Sequence, residues 1–434
     1  MKKKVVLSLS IFVILISIIV IGNKPILNLI EYDENTTLAL FNEDGEKIDQ
    51  VPSKDSGYTL DTEKSSCTNG SISWDKESWS PVITVNNEVN GRVSCTLYFK
   101  EATAYDECIM EYGSNSIQCG ILAQLDTTGI CPTVNKEGNV LIYNVEAING
   151  YLCSAPDDYG TSYYYRGNVT NNYVKFGTNE SGKDMYWRII RINGNGSIRM
   201  IYDGTSAHEN GESSKDREID NIAYNPLSDD NAYVGYMYGT TGSSTYNATH
   251  ANIHDSTIKT YLDEWYANNL LGSNEEQYLA DTLFCNDRSF SSNNTGTGAG
   301  KSITFYRWQY YHTNTGVTLN CAQKNDCFTV NDEVNGNGDL MYPIGLITVD
   351  ESFLAGGSDV ENLGYYLYTG YAYWTISPSS FGGSVAMMRS ITPNGNAFTI
   401  NGPHLLLGVR PVINLKPNSL VSGDGTADNP YSVI

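Results

Sequence analysis

The sequence predicts an α+β protein in three parts: an N-terminal transmembrane helix, a small β-sandwich and a larger α+β domain. Three observations carry this reading. An uncharged apolar run occupies residues 5–22. Before residue 101, apolar and polar residues alternate with the period of half-buried strands. Beyond residue 156, an Asn-Gly hairpin signal precedes helix-capping signals, and strand-like runs close the chain.

The apolar run follows Lys2, Lys3 and Lys4 and contains three serines. At about 1.5 Å per residue it reaches roughly 27 Å, close to the hydrocarbon thickness of a bilayer. Lysines on the short side hold that end in the cytoplasm and send the rest across. A cleaved secretory signal starts the same way but has a shorter core and small residues at its cleavage site. Here Ile19, Val20 and Ile21 stand at the end of the run, so residues 1–27 read as a cytoplasmic tip and an uncleaved signal anchor. Both readings place the remainder outside. All nine cysteines lie in that remainder, as a disulfide-permissive compartment favours, and none forms the C-x-x-C of a structural zinc site.

Residues 28–101 form a polar, acidic stalk and then the small sandwich. Val93, Cys95, Leu97 and Phe99 alternate onto one face of its last strand. Cys67 and Cys95 bracket the unit with Trp74 and Trp79 between them, the ingredients of an immunoglobulin-like sandwich with a closer cysteine spacing. Residues 102–155 read as a disulfide-braced connector, in which Cys108–Cys119 and Cys131–Cys153 are the simplest pairings.

The larger domain is placed at residues 156–434. Asp184 to Tyr202 holds two apolar-aromatic runs around Asn193-Gly194-Asn195-Gly196, a hairpin signal. A helix follows, capped by Asp255 or Ser256, with Ile258, Tyr261, Leu262, Trp265 and Tyr266 on one face. Ser273 and Glu276 form a capping box ahead of a second helix, and Thr348 and Glu351 one ahead of a third that ends at Gly356 and Gly357. The tail returns to strands, with a turn at Asn394-Gly395.

In this tail, YWTISP, a hairpin and then Gly408-Val409-Arg410-Pro411-Val412-Ile413-Asn414-Leu415 resemble an uncharacterised family of Gram-positive surface domains. The opening YWRIIRINGNGSIRMIY resembles the same family. Those domains are similar in turn to the C-type-lectin-like fold of formylglycine-generating enzymes. The resemblance spans about residues 156–416 and implies a C-type-lectin-like binding scaffold on a bacterial cell membrane. The oxidase chemistry of those enzymes is not implied, because no cysteine lies between Trp374 and Arg410. The calcium-dependent sugar motifs of animal lectins are also absent.

A net charge of −22 disfavours nucleic acid as a partner. No catalytic residue is assigned: the five histidines show no partner motif, and no G-x-S-x-G elbow is present. His250 and His254 stand four apart but ahead of the helix cap, so they read as loop residues. Asp332, Asn335, Asn337 and Asp339 supply oxygens in a glycine-rich loop, which reads as a plain turn or a calcium site; no other cofactor is expected. Cys285 could bridge to Cys321, with Cys321–Cys327 as the rival. Arg410 reads as structural, needing a buried carboxylate or carbonyl partner. Trp187 and Trp374 read as core. Tyr163, Tyr164, Arg166, Tyr306, Arg307, Trp308 and Tyr310 are the candidate ligand-binding residues, since aromatic faces beside donors grip sugars or peptides. The expected function is a membrane-anchored adhesion module for a glycan or surface protein. The alternatives are a self-assembling envelope protein, through the stalk or the odd cysteine, and a glycan- or peptide-processing hydrolase.

Overall fold

A computed structural model describes residues 36–85, 92–126, 128–142, 147, 149–309 and 316–433. The expected anchor at residues 1–27 and the start of the stalk lie outside the described residues. Among those described, no helix is long and apolar enough to cross a membrane. The chain mixes helix and sheet and divides into two compact units, 1–123 and 124–434.

In the first unit, Val93–Glu101 is the organising strand. It pairs with Thr36–Phe41 in parallel and with Tyr58–Leu60 and Ser66–Thr68 in antiparallel register. Val93, Cys95, Leu97 and Phe99 are buried as the alternation predicts, and with Leu40, Leu60 and Ile83 they form the core. A hairpin of Gly70–Asp75 and Ser80–Val85 brings Trp74 edge-on to Phe99. The Cys67–Cys95 bridge forms, but between directly paired neighbours in one sheet. It therefore does not staple two facing sheets, the geometry on which the immunoglobulin-like expectation rested.

The expected connector is divided between the units. Ala104–Tyr112, capped reciprocally by Thr103 and Asp106, and Ile117–Leu122, capped by Ser116, form a helix pair joined by Cys108–Cys119 in the first unit. Cys131–Cys153 belongs to the second unit, whose first long strand, Tyr151–Asp157, begins ahead of the expected boundary at 156.

The second unit contains two large sheets. Asp184–Ile192 and Ile198–Gly204 make the predicted hairpin, turning where Gly196 takes φ 80°. They are the centre of a seven-stranded sheet, and nearly every residue of both is buried. Tyr373–Phe381 is the centre of a six-stranded sheet, paired with Ala386–Ile391, which returns through the Asn394-Gly395 turn to Thr399–Asn401. The terminal motif crosses between the sheets: Leu406–Gly408 belongs to the second, and Val412–Leu415 pairs with Ile198–Gly204 in the first. Arg410 sits at that crossing, wholly buried. It donates to Asp203 at 2.7 Å and to the carbonyls of Tyr202 and Leu367 at 3.0 Å, so the structural reading holds. Trp187 and Trp374 are fully buried.

Thr257–Asn269 is the predicted helix, with Ser256 accepting from the Lys259 amide. The second expected helix does not form. Glu276 accepts from the Gly272 amide at 2.7 Å and the Tyr266 hydroxyl at 3.4 Å, closing the preceding helix instead of making a box with Ser273. Only a 3-10 turn, Glu276–Tyr278, remains, and Ala280 then pairs with Asn414 as extended chain. Val349–Leu354 does carry its box of Thr348 and Glu351. Cys285–Cys321 is bonded, leaving Cys327 as a buried thiol whose hydrogen reaches the Gln323 carbonyl. Burial takes the odd cysteine out of reach of another chain.

Candidate functional site

Of the expected ligand-binding residues, Tyr164, Arg166, Tyr306 and Trp308 are buried. In Gly160–Arg166, Tyr164 and Arg166 are buried and Tyr163 is half-buried. Arg166 donates to the carbonyls of Phe353 and Leu354, closing the C-terminal end of the Val349–Leu354 helix. Tyr306 is fully buried, its hydroxyl on Asn231 at 2.8 Å. Trp308 donates to Asp350 at 2.6 Å from a buried ring, and Arg307 bridges Asp287 and Asp350. Tyr310 lies outside the described residues. Tyr164 and Tyr306, which read as surface rings, are core instead.

The expected calcium ligands serve their own turn. Asp332 accepts from the amides of Val334 and Asn335 and from the Asn335 side chain, each at 2.9 Å. Asn337 accepts from the Asp339 amide, and Asp339 from Asn252. Among the described residues no group of three or more His, Cys, Asp and Glu is placed to hold a metal. His250 is buried, one ring nitrogen 2.9 Å from the Gly298 carbonyl, and burial beside Arg288 pushes its pKa well down.

Two cavities in the second unit bring polar groups together. The first is lined by Arg191, Arg199, Arg307, Asp287, Asp350 and Glu351 and holds about 20 Å³, room for a single water. Its charges satisfy one another: Arg191 meets Asp157 at 2.7 Å and Glu351 at 3.0 Å, and Arg199 meets Glu351 at 2.5 Å. This network is structural.

The second is a cleft of about 320 Å³. Its floor comes from the Asp184–Ile192 and Ile198–Gly204 hairpin through Met185 and Tyr202. One wall is the Thr257–Asn269 helix. That helix buries Ile258, Leu262 and Tyr266 and turns Tyr261, Glu264, Trp265 and Asn268, at helical spacing, to the cleft. Trp265 and Tyr202 meet edge to face at 6.2 Å, with buried Trp187 behind both. Opposite, the 179–182 turn supplies Asn179, Glu180 and Ser181, tied to the helix end where the Glu180 amide donates to Asn269 at 2.9 Å.

Asp216, Glu218 and Ile219 complete the lining. Asp216 is held below the ordinary carboxylate range. Burial pushes it up, but hydrogen bonds from Ser214 and the Thr205 amide, with His208 2.9 Å away, outweigh burial. Glu218 differs. It is 6% exposed, and neither carboxyl oxygen has a hydrogen-bond partner among the described residues. Burial pushes it up to about 7, with the charges of Arg410 and Lys215 pulling the other way. It lies against Gly408, where an added Cβ would meet the carboxyl.

Among the described residues, no lysine, arginine or histidine lines the cleft. Arginine and acidic residues crowd the rest of the core in pairs, so an unsatisfied buried carboxyl beside an open cleft is a group awaiting a partner. The sequence offered one signal for this site: Tyr261, Glu264, Trp265 and Asn268 on one helical stripe. Glu218, in the loop sequence KDREID, carried none. Comparison with family models, curated proteins and solved structures finds no match for this chain.

Proposed function

We propose that the chain is a cell-surface recognition protein, held in a bacterial cell membrane by the apolar run at its N-terminus, whose 124–434 unit presents a ligand-binding cleft outside the cell. The lysine-flanked apolar run supports the anchoring, and four disulfides support an oxidising exterior. The C-type-lectin-like reading of this unit rests on the Trp374 strand, its hairpin and the terminal Gly408-Val409-Arg410-Pro411 crossing. The single observation that carries the function is the cleft itself, with half-buried Tyr261 and Trp265 beside amides and an unsatisfied Glu218. Rings next to amides and carboxylates grip sugars, the ring taking the apolar face and the polar groups the hydroxyls.

The test is a screen of the purified full-length chain against glycans, peptidoglycan fragments and whole cells. Saturable binding that Trp265→Ala removes is the expected result. Its absence with folded protein would overturn the reading. A hydrolytic reading has one observation in its favour, the raised Glu218 carboxyl, which suits a general acid near neutral pH. In that case Glu218→Gln would abolish turnover of a ligand that the variant still binds.

A further inference from the structure

We infer that the cleft of Tyr202, Glu218, Tyr261 and Trp265 selects a glycan bearing a free amino group, an amino sugar whose ammonium sits at Glu218. The inference rests on the recognition reading above and names the chemistry of its ligand.

Four features of the cleft select that chemistry. Its ionisable lining is acidic throughout, with Glu180, Asp216, Glu218 and Glu264 and no basic side chain, so it repels anions and attracts cations. Its apolar lining is chiefly aromatic, and ring faces hold both ammonium groups and the C–H faces of sugars. Asn179, Ser181, Asn268 and Asn269 add neutral donors and acceptors of the kind that bind hydroxyls. The fourth feature is Glu218 itself, buried without a hydrogen bond against the Gly408 backbone. An ammonium supplies three donors and a charge to such a group and favours its ionised form, whereas an N-acetyl group supplies one neutral donor. A bare metal ion fits less well, because Asp216 is engaged with Thr205 and His208, which leaves Glu218 as the one buried carboxyl of the lining without a partner.

Calorimetry and tryptophan fluorescence on the full-length chain test this with three probes: a glucosamine trimer, its N-acetylated counterpart and lysine amide. The glucosamine trimer is expected to bind saturably and about tenfold more tightly than the N-acetylated one. Glu218→Gln is expected to remove that preference. Glu264 is exposed on its helix, so Glu264→Gln keeps the test open should the buried variant fail to fold; it is expected to weaken the glucosamine trimer about threefold. Equal affinity for the two trimers, or an unchanged preference in a folded Glu218→Gln, overturns the inference. Lysine amide binding as tightly as the amino trimer overturns its sugar half. If neither trimer binds while the surface screen yields a saturable ligand, this inference fails and the recognition reading stands; if nothing binds in either experiment, both fail.

Discussion

Asp203 is a carboxylate on which three buried arginines of the second unit converge. Arg217 and Arg410 each reach its Oδ1 at 2.7 Å, Arg188 lies 3.9 Å from Oδ2, and none of these side chains is exposed. Removing one member of a buried pair leaves the other charge without compensation. Asp203→Asn is therefore expected to cost about 3–5 kcal/mol in chemical denaturation. Arg410→Lys should also be costly, since an ammonium cannot reproduce a fork reaching one carboxylate and two carbonyls. Glu218 predicts a pH effect of its own. Its folded carboxyl is raised from 4.5 to about 7, so the folded state holds the proton more tightly than the unfolded chain. That contribution is complete below pH 4.5 and is lost as pH rises through 7. Glu218→Gln carries no such titration, so it should gain on the natural protein between pH 4.5 and 8. Beside an open cleft, where solvent screening discounts the shift, the gain is on the order of 1–2 kcal/mol. Melting curves across that range check it, and parallel profiles for the two proteins would refute it.

At the scale of elements, local chemistry was legible wherever one residue type can meet a local demand. The Asn-Gly turns, the Ser256 cap and the Thr348–Glu351 box all form at the predicted places. The box of Ser273 and Glu276 fails because Glu276 finds partners behind it, the Gly272 amide and the Tyr266 hydroxyl at the end of the preceding helix. The box of Thr103 and Asp106 carries the same signal with an Asp at the N3 position. Glu351 shows how a cap becomes more than local: it also meets Arg191 and Arg199, two strands of the large sheet. Burial pushes its carboxyl up, yet the charges of Arg199 and Arg191 outweigh burial and hold it below the ordinary range. The stability it contributes is thus present above about pH 4.5 and lost as pH falls through the depressed folded value. Thr348→Ala should cost about 1 kcal/mol at every pH. Glu351→Gln should cost more near neutrality and blunt the loss of stability in acid, and acid titrations followed by circular dichroism separate the two.

At the scale of the molecule, the cysteine pairings were legible because neighbours along the chain bond, whereas the site was not. The cleft gathers the 179–182 turn, two strands, one helix and the 216–219 loop, and no single stretch announces such a meeting. Tyr164 and Tyr306 show the complementary effect: residues that read as surface rings are buried once the elements pack together. What the bonded pairs add is a division of labour. Cys67–Cys95 and Cys108–Cys119 close within residues 1–123, and Cys131–Cys153 and Cys285–Cys321 within residues 124–434. Each unit also has its own buried core, so no covalent link other than the backbone at 123–124 needs to hold them in one chain. A protease site inserted there should release two fragments on non-reducing gels, because no disulfide spans the cut. The 124–434 fragment should keep both its bridges and the cleft, and with them the ligand affinity of the intact protein. Fragments that part only after reduction would mean that a disulfide joins the units, and a released 124–434 fragment that binds nothing its parent binds would place the recognition surface outside this unit.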